Sequence, residues 1–411
     1  MLSFAASHAK EKSAADKIFD TVIAANKASA QYGRDNVVNA APGTYLNDNG
    51  QIGFLPTVEK IYRNLPASEI VSYAPIAGVP EYLDAVTDSV FRQYKPEAYT
   101  KAIATVGGTG ALHNIVNNYS EVGDTVLTTD WCWGPYRSVC EDLQRNFATF
   151  PMFADNGSFN LAGLGSSMKE ILARQDRLVL ILNTPAHNPT GYSLTEDEWD
   201  AVLALLKEYT AGGWKKVILV ADIAYIDYAG ATSRQFLRKL SALPDHVLAV
   251  LTFSMSKGYT LYGQRAGAMI GVSRFQEVMR EFDNINQYSC RATWSNVNRA
   301  AMHTLATIFK DAALVAQVDR ERQQYVQKIS ERAGIFTAES QAAGLTMYPY
   351  KAGFFLTIPC ANPDEACRHL TDDLIFAVAL AKGVRLSVCA IPTGQIPGLA
   401  GKVAAAIENC R

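Results

Sequence analysis

The chain has 411 residues and a formal net charge of −2, with 48% hydrophobic and 19% charged residues. This length indicates two domains, and the composition argues against a disordered chain, a membrane-spanning protein and a basic nucleic-acid-binding surface. The first residues lack the layout of a secretory signal and the seven cysteines form no CxxC pair, so we expect a cytoplasmic protein without disulfides or a zinc site.

The first elements of the chain are short. Residues 1 to about 30 predict a polar helix whose apolar side contains Phe19, Val22 and Ile23. A loop rich in proline and glycine at 73–80 leads into a further helix, and a proline stands in the first turn of that helix. These patterns place no chemistry by themselves.

Strand and helix patterns alternate from about residue 102 onward. Apolar runs typical of buried strands occur at 126–127, 178–182, 217–220, 248–251 and 268–272. Helical patterns lie between them at 113–119, 136–145, 161–173 and 196–209. This alternation predicts an α/β fold with a mainly parallel sheet that carries helices on both faces.

The last hundred residues have a different character. A long charged helix begins near residue 311, and a strand at 353–358, a helix near 370–380 and a strand at 384–389 follow it. We therefore expect a large domain at 51–310 and a smaller α+β domain. The smaller domain would combine the N-terminal segment, 1–50, with the C-terminal segment, 311–411.

One stretch, LAVLTFSMSKGYTLYGQRAG at 248–267, is the most informative in the chain. An apolar strand ends there in a polar turn with Ser254, Ser256 and Lys257. Open α/β sheets place their chemistry at the carboxyl ends of strands. A lysine in a dry pocket there can lose its proton and attack a carbonyl carbon. The alternative is a solvated lysine at a strand end.

Two loops that follow predicted strands can bind a ligand through their backbone or an amide. Gly107, Gly108 and Thr109 precede a helix, whose N-terminus would attract a phosphate, although the pattern is not the GxGxxG of dinucleotide sites. The sequence NTPAHNPTG, which contains Asn188, is a loop after the strand at 178–182. Both loops are also consistent with ordinary turn chemistry.

Two further strand ends carry residues suited to a planar, charged ligand. Asp222 and Tyr225 follow the strand at 217–220, where a carboxylate is costly to bury unless it meets a cation such as a protonated ring nitrogen. Trp133 follows the strand at 126–127 and can stack on a flat ring. A structural salt bridge and a core aromatic side chain are the corresponding alternatives.

Three arginines stand in otherwise interior-looking contexts. They are Arg265 in YGQRAG, Arg291 in SCRATWSN and Arg385 in VRLSV. Arginine is rarely buried without an anion, and its planar fork pairs with carboxylate or phosphate. The alternative for each is a structural ion pair.

Taken together, the motifs GGTGAL, HNPTG, D-x-A-Y, S-x-S-K and R-x-x-W-S-N occur in this order between about residue 39 and residue 385. In this combination the chain resembles the class I (fold-type I) aminotransferases of the aspartate/aromatic branch. The resemblance implies a two-domain α/β fold and the cofactor pyridoxal 5'-phosphate. It also implies a homodimer whose two active sites are shared between subunits.

The resemblance also implies roles around the cofactor ring. Lys257 would hold the cofactor as a Schiff base and shuttle the proton of the substrate. Asp222 would keep the ring nitrogen protonated, and Tyr225 would donate a hydrogen bond to the phenolate oxygen of the ring. Trp133 would stack on the ring, and Asn188 would bond its phenolate side.

The remaining implied roles concern the phosphate and the substrate. The phosphate would be bound by Gly107, Gly108, Thr109, Ser254, Ser256 and Arg265, with Tyr73 of the partner subunit. Arg385 would bind the substrate α-carboxylate, with Gly43 in the nearby closing segment and Trp133 and Asn188 also at the substrate. Arg291 of the partner subunit would reach the distal carboxylate of the substrate.

The implied reaction exchanges the amino group of an L-amino acid, aspartate or glutamate and also aromatic ones, with a 2-oxo acid such as 2-oxoglutarate, by a ping-pong mechanism. Arg291 favours dicarboxylic substrates, but aromatic members of the branch share this arginine. Three alternatives remain: an aromatic preference, a β-lyase or decarboxylase of the same fold, and a non-catalytic regulator that binds the cofactor. The regulator would need an appended DNA-binding module, for which the first 40 residues are too short and too little basic.

Overall fold

The structure is a computed structural model, and it describes residues 4–9, 12 and 16–410. The helices of this part of the chain are α1 (Lys17–Tyr32), α2 (Pro56–Arg63), α3 (Ala67–Val71), α4 (Pro80–Phe91), α5 (Gly107–Tyr119), α6 (Pro135–Asp142), α7 (Leu161–Leu172), α8 (Glu196–Thr210), α9 (Met255–Gly258), α10 (Gln276–Thr293), α11 (Arg299–Phe309), α12 (Ala312–Ala342), α13 (Pro363–Asp372) and α14 (Leu399–Glu408). The strands are β1 (Val38–Asn39), β2 (Tyr99–Thr105), β3 (Thr125–Thr129), β4 (Asn146–Phe150), β5 (Arg177–Asn183), β6 (Lys216–Asp222), β7 (Val247–Ser254), β8 (Gly267–Ser273), β9 (Phe355–Pro359), β10 (Ile375–Phe376), β11 (Val378–Leu380) and β12 (Gly383–Ser387).

The chain folds as two compact units. The large unit contains Gly53–Lys328 and Pro349–Phe354, and the small unit contains Ile329–Tyr348 together with the described residues of 1–52 and 355–411. The chain changes from one unit to the other inside α12. The predicted domain limits at residues 50 and 310 stay a prediction.

The large unit is built on a seven-stranded sheet with the order β2-β8-β7-β6-β5-β3-β4. Neighbouring strands from β7 to β4 are parallel, whereas β8 runs antiparallel to both β7 and β2. The central strands β5, β6 and β7 are buried along almost their whole length. Continuous apolar runs are typical of such strands, because helices cover both faces of a parallel sheet. The predicted α/β fold with a mainly parallel sheet is confirmed.

The register of the sheet aligns the carboxyl ends of several strands. Asn183 at the end of β5 pairs with Asp222 at the end of β6. Ser254 at the end of β7 and Thr105 at the end of β2 both lie opposite Gly267, the first residue of β8. The loops that leave these strands therefore begin along one edge of the sheet, which is where open α/β sheets bind their ligands.

The small unit contains two minor sheets. β1 and β10 form a parallel pair, and β11, β12 and β9 form an antiparallel sheet in that order. Helix α13 packs against β10 and β11 and also against α14, while α1 packs against β1 and β10. This mixture agrees with the α+β character of the terminal sequence.

One expectation for the small unit is wrong. The helix expected near 370–380 ends at Asp372, because Leu374 has a left-handed backbone with φ of 59° and the following residues form β10 and β11. Phe19 and Ile23, on the predicted apolar side of the first helix, are 69% and 66% exposed. Small alanines, Ala25 and Ala28, form the buried face of α1 instead. Residues 1–3, 10, 11 and 13–15 of that expected helix lie outside the described residues.

A buried arginine joins separate segments of the small unit. The Arg332 side chain has no exposed surface, and its guanidinium donates to the carbonyls of Cys389 and Leu46 at 3.0 Å each. It also donates to the carboxylate of Asp48 at 2.8 Å. Partial burial acts to raise the pKa of Asp48, but hydrogen bonds from Thr393 and Arg332 hold that pKa well below its usual range. Arg332 therefore secures two loops through one guanidinium.

We expect Arg332→Met to lower the free energy of unfolding by about 1–3 kcal/mol, because it leaves two carbonyls and a half-exposed carboxylate without their donor. Urea denaturation followed by circular dichroism measures the loss. Lys17→Met is the control, since it removes an exposed ion pair with Asp364 in the same unit and such pairs contribute little. Equal midpoints for the two variants would contradict this account of Arg332.

Candidate active site

Lys257 lies in the one-turn helix α9, directly after the carboxyl end of β7. The Ser254 side chain caps this helix by accepting a hydrogen bond from the Ser256 N–H at 3.2 Å. The Lys257 side chain is half-buried, and its Nζ lies 5.1 Å from the ring centre of Tyr262 and 5.7 Å from that of Tyr225. A third ring, that of Phe354, lies 5.9 Å away. The amine is thus held beside ring faces, which attract a cation and limit its access to water.

An anion cradle lies at the N-terminus of α5, the 13-residue helix that follows β2. Gly107 is its first residue and has φ of 70°, and an added Cβ there would lie 2.6 Å from Nη2 of Arg265. Nη1 of Arg265 donates to the Ser256 hydroxyl at 3.2 Å. Gly108 faces Ser254, with 3.9 Å between an added Cβ and the Cβ of the serine. Free helix N–H groups, hydroxyls and a guanidinium are the donors that a phosphate requires.

A cavity of about 610 Å³ opens beside this cradle. Thr109 and Arg265 are among its lining residues, as are His113 and Trp294. The space next to the cradle can therefore admit a small molecule, and the cradle residues fit a bound phosphate group.

Asp222 is a buried carboxylate suited to an external cation. Its Oδ2 accepts a hydrogen bond from the Tyr136 hydroxyl at 2.6 Å, and its Oδ1 accepts one from the Ala224 N–H at 3.1 Å. Burial raises the pKa of Asp222, and these hydrogen bonds reduce the rise without cancelling it. None of the described lysines, arginines or histidines forms an ion pair with this carboxylate. A protonated ring nitrogen would supply the missing positive charge.

The other residues predicted around a ring lie at the same sheet edge. Tyr225 is 5% exposed and packs edge-on against Phe354 with 5.3 Å between ring centres. Asn188 is also buried, and its N–H donates to Oδ1 of Asn183 at 2.6 Å. Trp133 is half-buried in the loop before α6, two residues before that helix begins. The large unit thus brings together Lys257, Asp222, Tyr225, Ser254, Ser256, Arg265 and the glycines of α5 as neighbours in one region.

Arg385 and Gly43 belong to the small unit. Arg385 is 3% exposed in β12, and its Nη2 donates to the carbonyl of Ala41 at 2.6 Å. Its guanidinium lies over the ring of Phe355 at 4.5 Å. The arginine therefore lies beside the loop that contains Gly43, which places the two predicted substrate residues of this unit together.

Tyr73 and Arg291 are on the surface of the chain. Tyr73 is 87% exposed, and its carbonyl accepts a 3.2 Å hydrogen bond from Nη1 of Arg299. Arg291 is exposed in the last turn of α10 and donates to the Ser295 hydroxyl. Both side chains are accessible to another molecule, and their predicted roles in the site of a partner subunit stay predictions.

Sequence reasoning missed several residues of the site. Tyr136 and Tyr262 stand within motifs that were already informative, three residues after Trp133 and five after Lys257. Asn183 links two strand ends, because its Nδ2 donates to the Asp222 carbonyl at 2.9 Å. Phe354 comes from a distant part of the chain and carried no local signal.

Gly267 is a further residue that only the structure explains. An added Cβ there would lie 2.5 Å from the Phe253 carbonyl and within 2.9 Å of the Gly107 backbone. The absence of a side chain lets the cradle backbone approach β7 and β8 closely.

Two other kinds of site find no support in this part of the chain. Among residues 4–9, 12 and 16–410, no group of three or more histidine, cysteine, aspartate or glutamate side chains could hold a metal ion. No helix within the same ranges is both long and apolar enough to cross a membrane.

The chain is similar to known proteins over most of its length. A crystal structure of an aminotransferase from Anaerococcus prevotii DSM 20548 is 38% identical, with a TM-score of 0.97 and coverage of 99% of this chain and 100% of that one. The aromatic-amino-acid aminotransferase of Escherichia coli (strain K12) is 26% identical over 90% of this chain and 94% of its own.

A further relative is matched over a shorter range. The cytoplasmic aspartate aminotransferase of Schizosaccharomyces pombe is 30% identical over 282 residues, which are 64% of either chain, so the match spans just under two thirds of that relative. Residues 35–403 match the family described as aminotransferase class I and II. The chain therefore belongs to the class I and II aminotransferase family.

Proposed function

We propose that this transaminase uses pyridoxal phosphate, attached covalently through Lys257, to exchange amino groups between an L-amino acid and a 2-oxo acid such as 2-oxoglutarate. The reaction is a ping-pong exchange in which each substrate leaves as product before the next one binds. The observation that carries the proposal is the convergence of a lysine amine, an anion cradle and a buried carboxylate at one edge of the sheet. Membership of the family supports the same cofactor.

The donors of the large unit match the two charged parts of the cofactor. Its phosphate is assigned to the cradle formed by Gly107, Gly108, Thr109, Ser254, Ser256 and Arg265. Asp222 pairs with the ring nitrogen and keeps a proton on it, which compensates for the burial of the carboxylate. When bound, pyridoxal phosphate supplies the electron sink for the bond that breaks at the substrate α-carbon.

The residues beside the ring orient it and move the proton. Nζ of Lys257 would hold the cofactor and, as a free amine, would take the proton from the substrate α-carbon. Tyr225 and Asn188 are assigned to hydrogen bonds with the ring oxygen, and Trp133 to stacking on the ring face. The aromatic rings beside Lys257 exclude water from this proton transfer.

Substrate binding is assigned to arginines. Arg385 is the residue for the α-carboxylate, with Gly43 in the adjoining loop. Arg291 of the partner subunit is assigned to the distal carboxylate of aspartate or glutamate, and Tyr73 of the partner subunit to the cofactor phosphate. Both are accessible at the surface of one chain, which supports a homodimer with shared sites.

A preference for aromatic substrates is the second candidate. The relative from Escherichia coli, which this chain matches over 94% of its length, is named for aromatic amino acids. The side chain of Trp294, three residues after Arg291, lines the cavity beside the cradle and offers a flat apolar surface there. For either substrate class we propose a cytoplasmic enzyme, because the relative from Schizosaccharomyces pombe is named as a cytoplasmic enzyme.

The visible spectrum of the purified enzyme tests the central assignment. We expect aspartate to bleach the absorbance of the attached cofactor and 2-oxoglutarate to restore it. Lys257→Ala should lose this absorbance and lower turnover by roughly 10⁶-fold, the scale observed when a covalent catalyst is removed. Retention of both by the variant would overturn the assignment.

Lys351→Ala is the matched control for this experiment. Lys351 also lies over an aromatic ring, that of Tyr192 at 4.4 Å, and donates to the Ser193 carbonyl. The Lys351→Ala variant should keep the absorbance and turnover of the wild type. Release of pyruvate or CO₂, without restoration by the 2-oxo acid, would instead indicate a β-lyase or decarboxylase.

Asp222→Asn tests the ring-nitrogen partner through stability. Because the pKa of Asp222 is raised in the folded state, the cofactor-free protein loses stability as the pH rises through this folded-state value. Asp222→Asn removes the ionisable group and with it this loss of stability. At neutral pH the cofactor-free variant should therefore melt at the wild-type temperature or above it. Added pyridoxal phosphate should then raise the melting temperature of the wild type more than that of the variant. Equal increments would contradict the pairing.

Arg291→Ala tests the distal-carboxylate assignment. It should lower kcat/KM for aspartate and glutamate roughly 10- to 100-fold, the worth of a charge-assisted hydrogen bond, and change kcat/KM for phenylalanine far less. Arg274→Ala, which removes an exposed pair with Asp245 in the same unit, is the control. Equal losses for all three substrates would reject the assignment.

A further inference from the structure

A network of buried charges lies behind the turn that carries Lys257. The side chains of Asp227 and Arg322 are each 6% exposed, and Nη1 of the arginine lies 3.7 Å from Oδ1 of the aspartate. Arg234 pairs with the same oxygen at 2.6 Å. Burial acts to raise the pKa of Asp227, but the two arginines hold that pKa below its usual value. The carboxylate is therefore charged inside the fold.

This network contacts the Lys257 turn through the backbone. Nε of Arg322 donates a 2.7 Å hydrogen bond to the carbonyl of Gly258, the residue after Lys257. The Tyr228 hydroxyl donates to the Lys257 carbonyl at 3.3 Å. A helix of four residues leaves most of its carbonyls without partners inside the helix. The Lys257 carbonyl also accepts from the Thr260 N–H at 3.2 Å. Donors from outside the turn therefore add to local bonds in fixing where its last residues lie.

Asp227 also packs directly against this turn. A Cβ added to Gly258 would collide with Oδ2 of Asp227, although the backbone of Gly258 is not left-handed. The glycine is therefore required by the approach of the carboxylate and not by a turn conformation. Asp227, Arg322 and Gly258 form one packed unit beneath the lysine.

The same segment also supplies ring-side residues. Asp222 and Tyr225 precede Asp227 on the chain that leaves β6, and Tyr228 follows it. One short segment therefore supplies residues to the proposed ring site and, through Tyr228, a hydrogen bond to the backbone of Lys257. A shift of this segment would change the distance between the proposed ring position and Lys257.

We propose that Asp227 and Arg322 are positioning residues that hold the Lys257 turn, and thereby the lysine amine, in its reactive orientation. This inference rests on the proposed function. The charge of Asp227 holds the guanidinium of Arg322 in place, and Nε of Arg322 fixes the carbonyl next to the lysine. Neither residue touches the substrate.

Arg322→Met and Arg234→Met separate positioning from general stability. Each variant removes one cation from Asp227, but only Arg322→Met removes the hydrogen bond to Gly258, since Arg234 donates instead to the carbonyls of Ser89 and Val90. Turnover is divided by the amount of cofactor that borohydride reduction fixes on Lys257, measured by peptide mass. Loss of folded protein then does not count as loss of kcat.

We expect Arg322→Met to lower kcat about 10- to 100-fold with little change in KM, as a misplaced catalytic group does. It should also shift the pH midpoint of the visible absorbance, which reports the surroundings of the lysine. Arg234→Met should keep the wild-type kcat and midpoint. Asp319→Asn, which removes the other carboxylate partner of Arg322 at 2.8 Å, should keep them as well.

A second set of variants covers the case in which Arg322→Met fails to fold, since breaking a buried pair is strongly destabilising. Gly258→Ala is made in the wild type and in Asp227→Ala. The added methyl group collides with the carboxylate only in the first background, so its effect on kcat should be large there and small in the second. Additive effects would overturn the proposed contact.

The outcomes separate this inference from the proposed function. If the wild type carries no cofactor on Lys257 and does not transaminate, the proposed function itself fails. If the wild type does both, and Arg322→Met matches Arg234→Met in kcat and in the pH midpoint, the positioning role is overturned and the proposed function stands. A selective loss in Arg322→Met supports both.

Discussion

The alignment of strand ends in the central sheet is the constraint on which the site depends. Because β7, β6, β5 and β2 all end at one edge, residues from four distant parts of the chain become neighbours. The buried apolar strands fix this register, since a slip of one residue would turn each side chain to the opposite face. Lys257, Asp222 and the first turn of α5 then need only short loops to meet. The arrangement of the candidate site is therefore a consequence of packing in the core and not of the loops alone.

Buried charge in the large unit divides into two kinds. Asp222 and Asp227 are five residues apart and both carboxylates are largely buried, yet the pKa of the first is raised and that of the second is lowered. The difference lies in their neighbours, because Asp227 has two arginines and Asp222 has only neutral donors. A buried carboxylate with its own cations serves the fold, whereas one without them is poised for a ligand that brings the charge. The two aspartates thus have different surroundings, which their positions in the sequence do not distinguish and which fit the proposed ligand-binding role of Asp222 alone.

Close backbone approaches complete the arrangement, and glycine permits each of them. Gly107 leaves room for the guanidinium of Arg265, Gly267 lets the cradle backbone lie against β7, and Gly258 accommodates the carboxylate of Asp227. A side chain at any of these positions would separate groups that must lie within contact distance. These three positions therefore tolerate few substitutions, although they carry no reactive atom. These contacts hold the groups of the candidate site in place together with the charged residues.

The sequence by itself determined the parallel α/β fold and the class of chemistry. Two kinds of local pattern carry this information and can be read from the sequence alone. They are apolar runs of strand length and the order of the motifs around Gly107, Asn188, Asp222 and Lys257. Only the tertiary structure decided what surrounds the lysine, because Phe354 reaches its amine and Arg322 reaches the adjacent Gly258 carbonyl from distant segments. It also decided the helix end at Asp372 and the exposure of Phe19, where left-handed backbone and small-residue packing prevailed over the apolar pattern. Burial and long-range pairing depend on the whole fold, so no local pattern could have specified them.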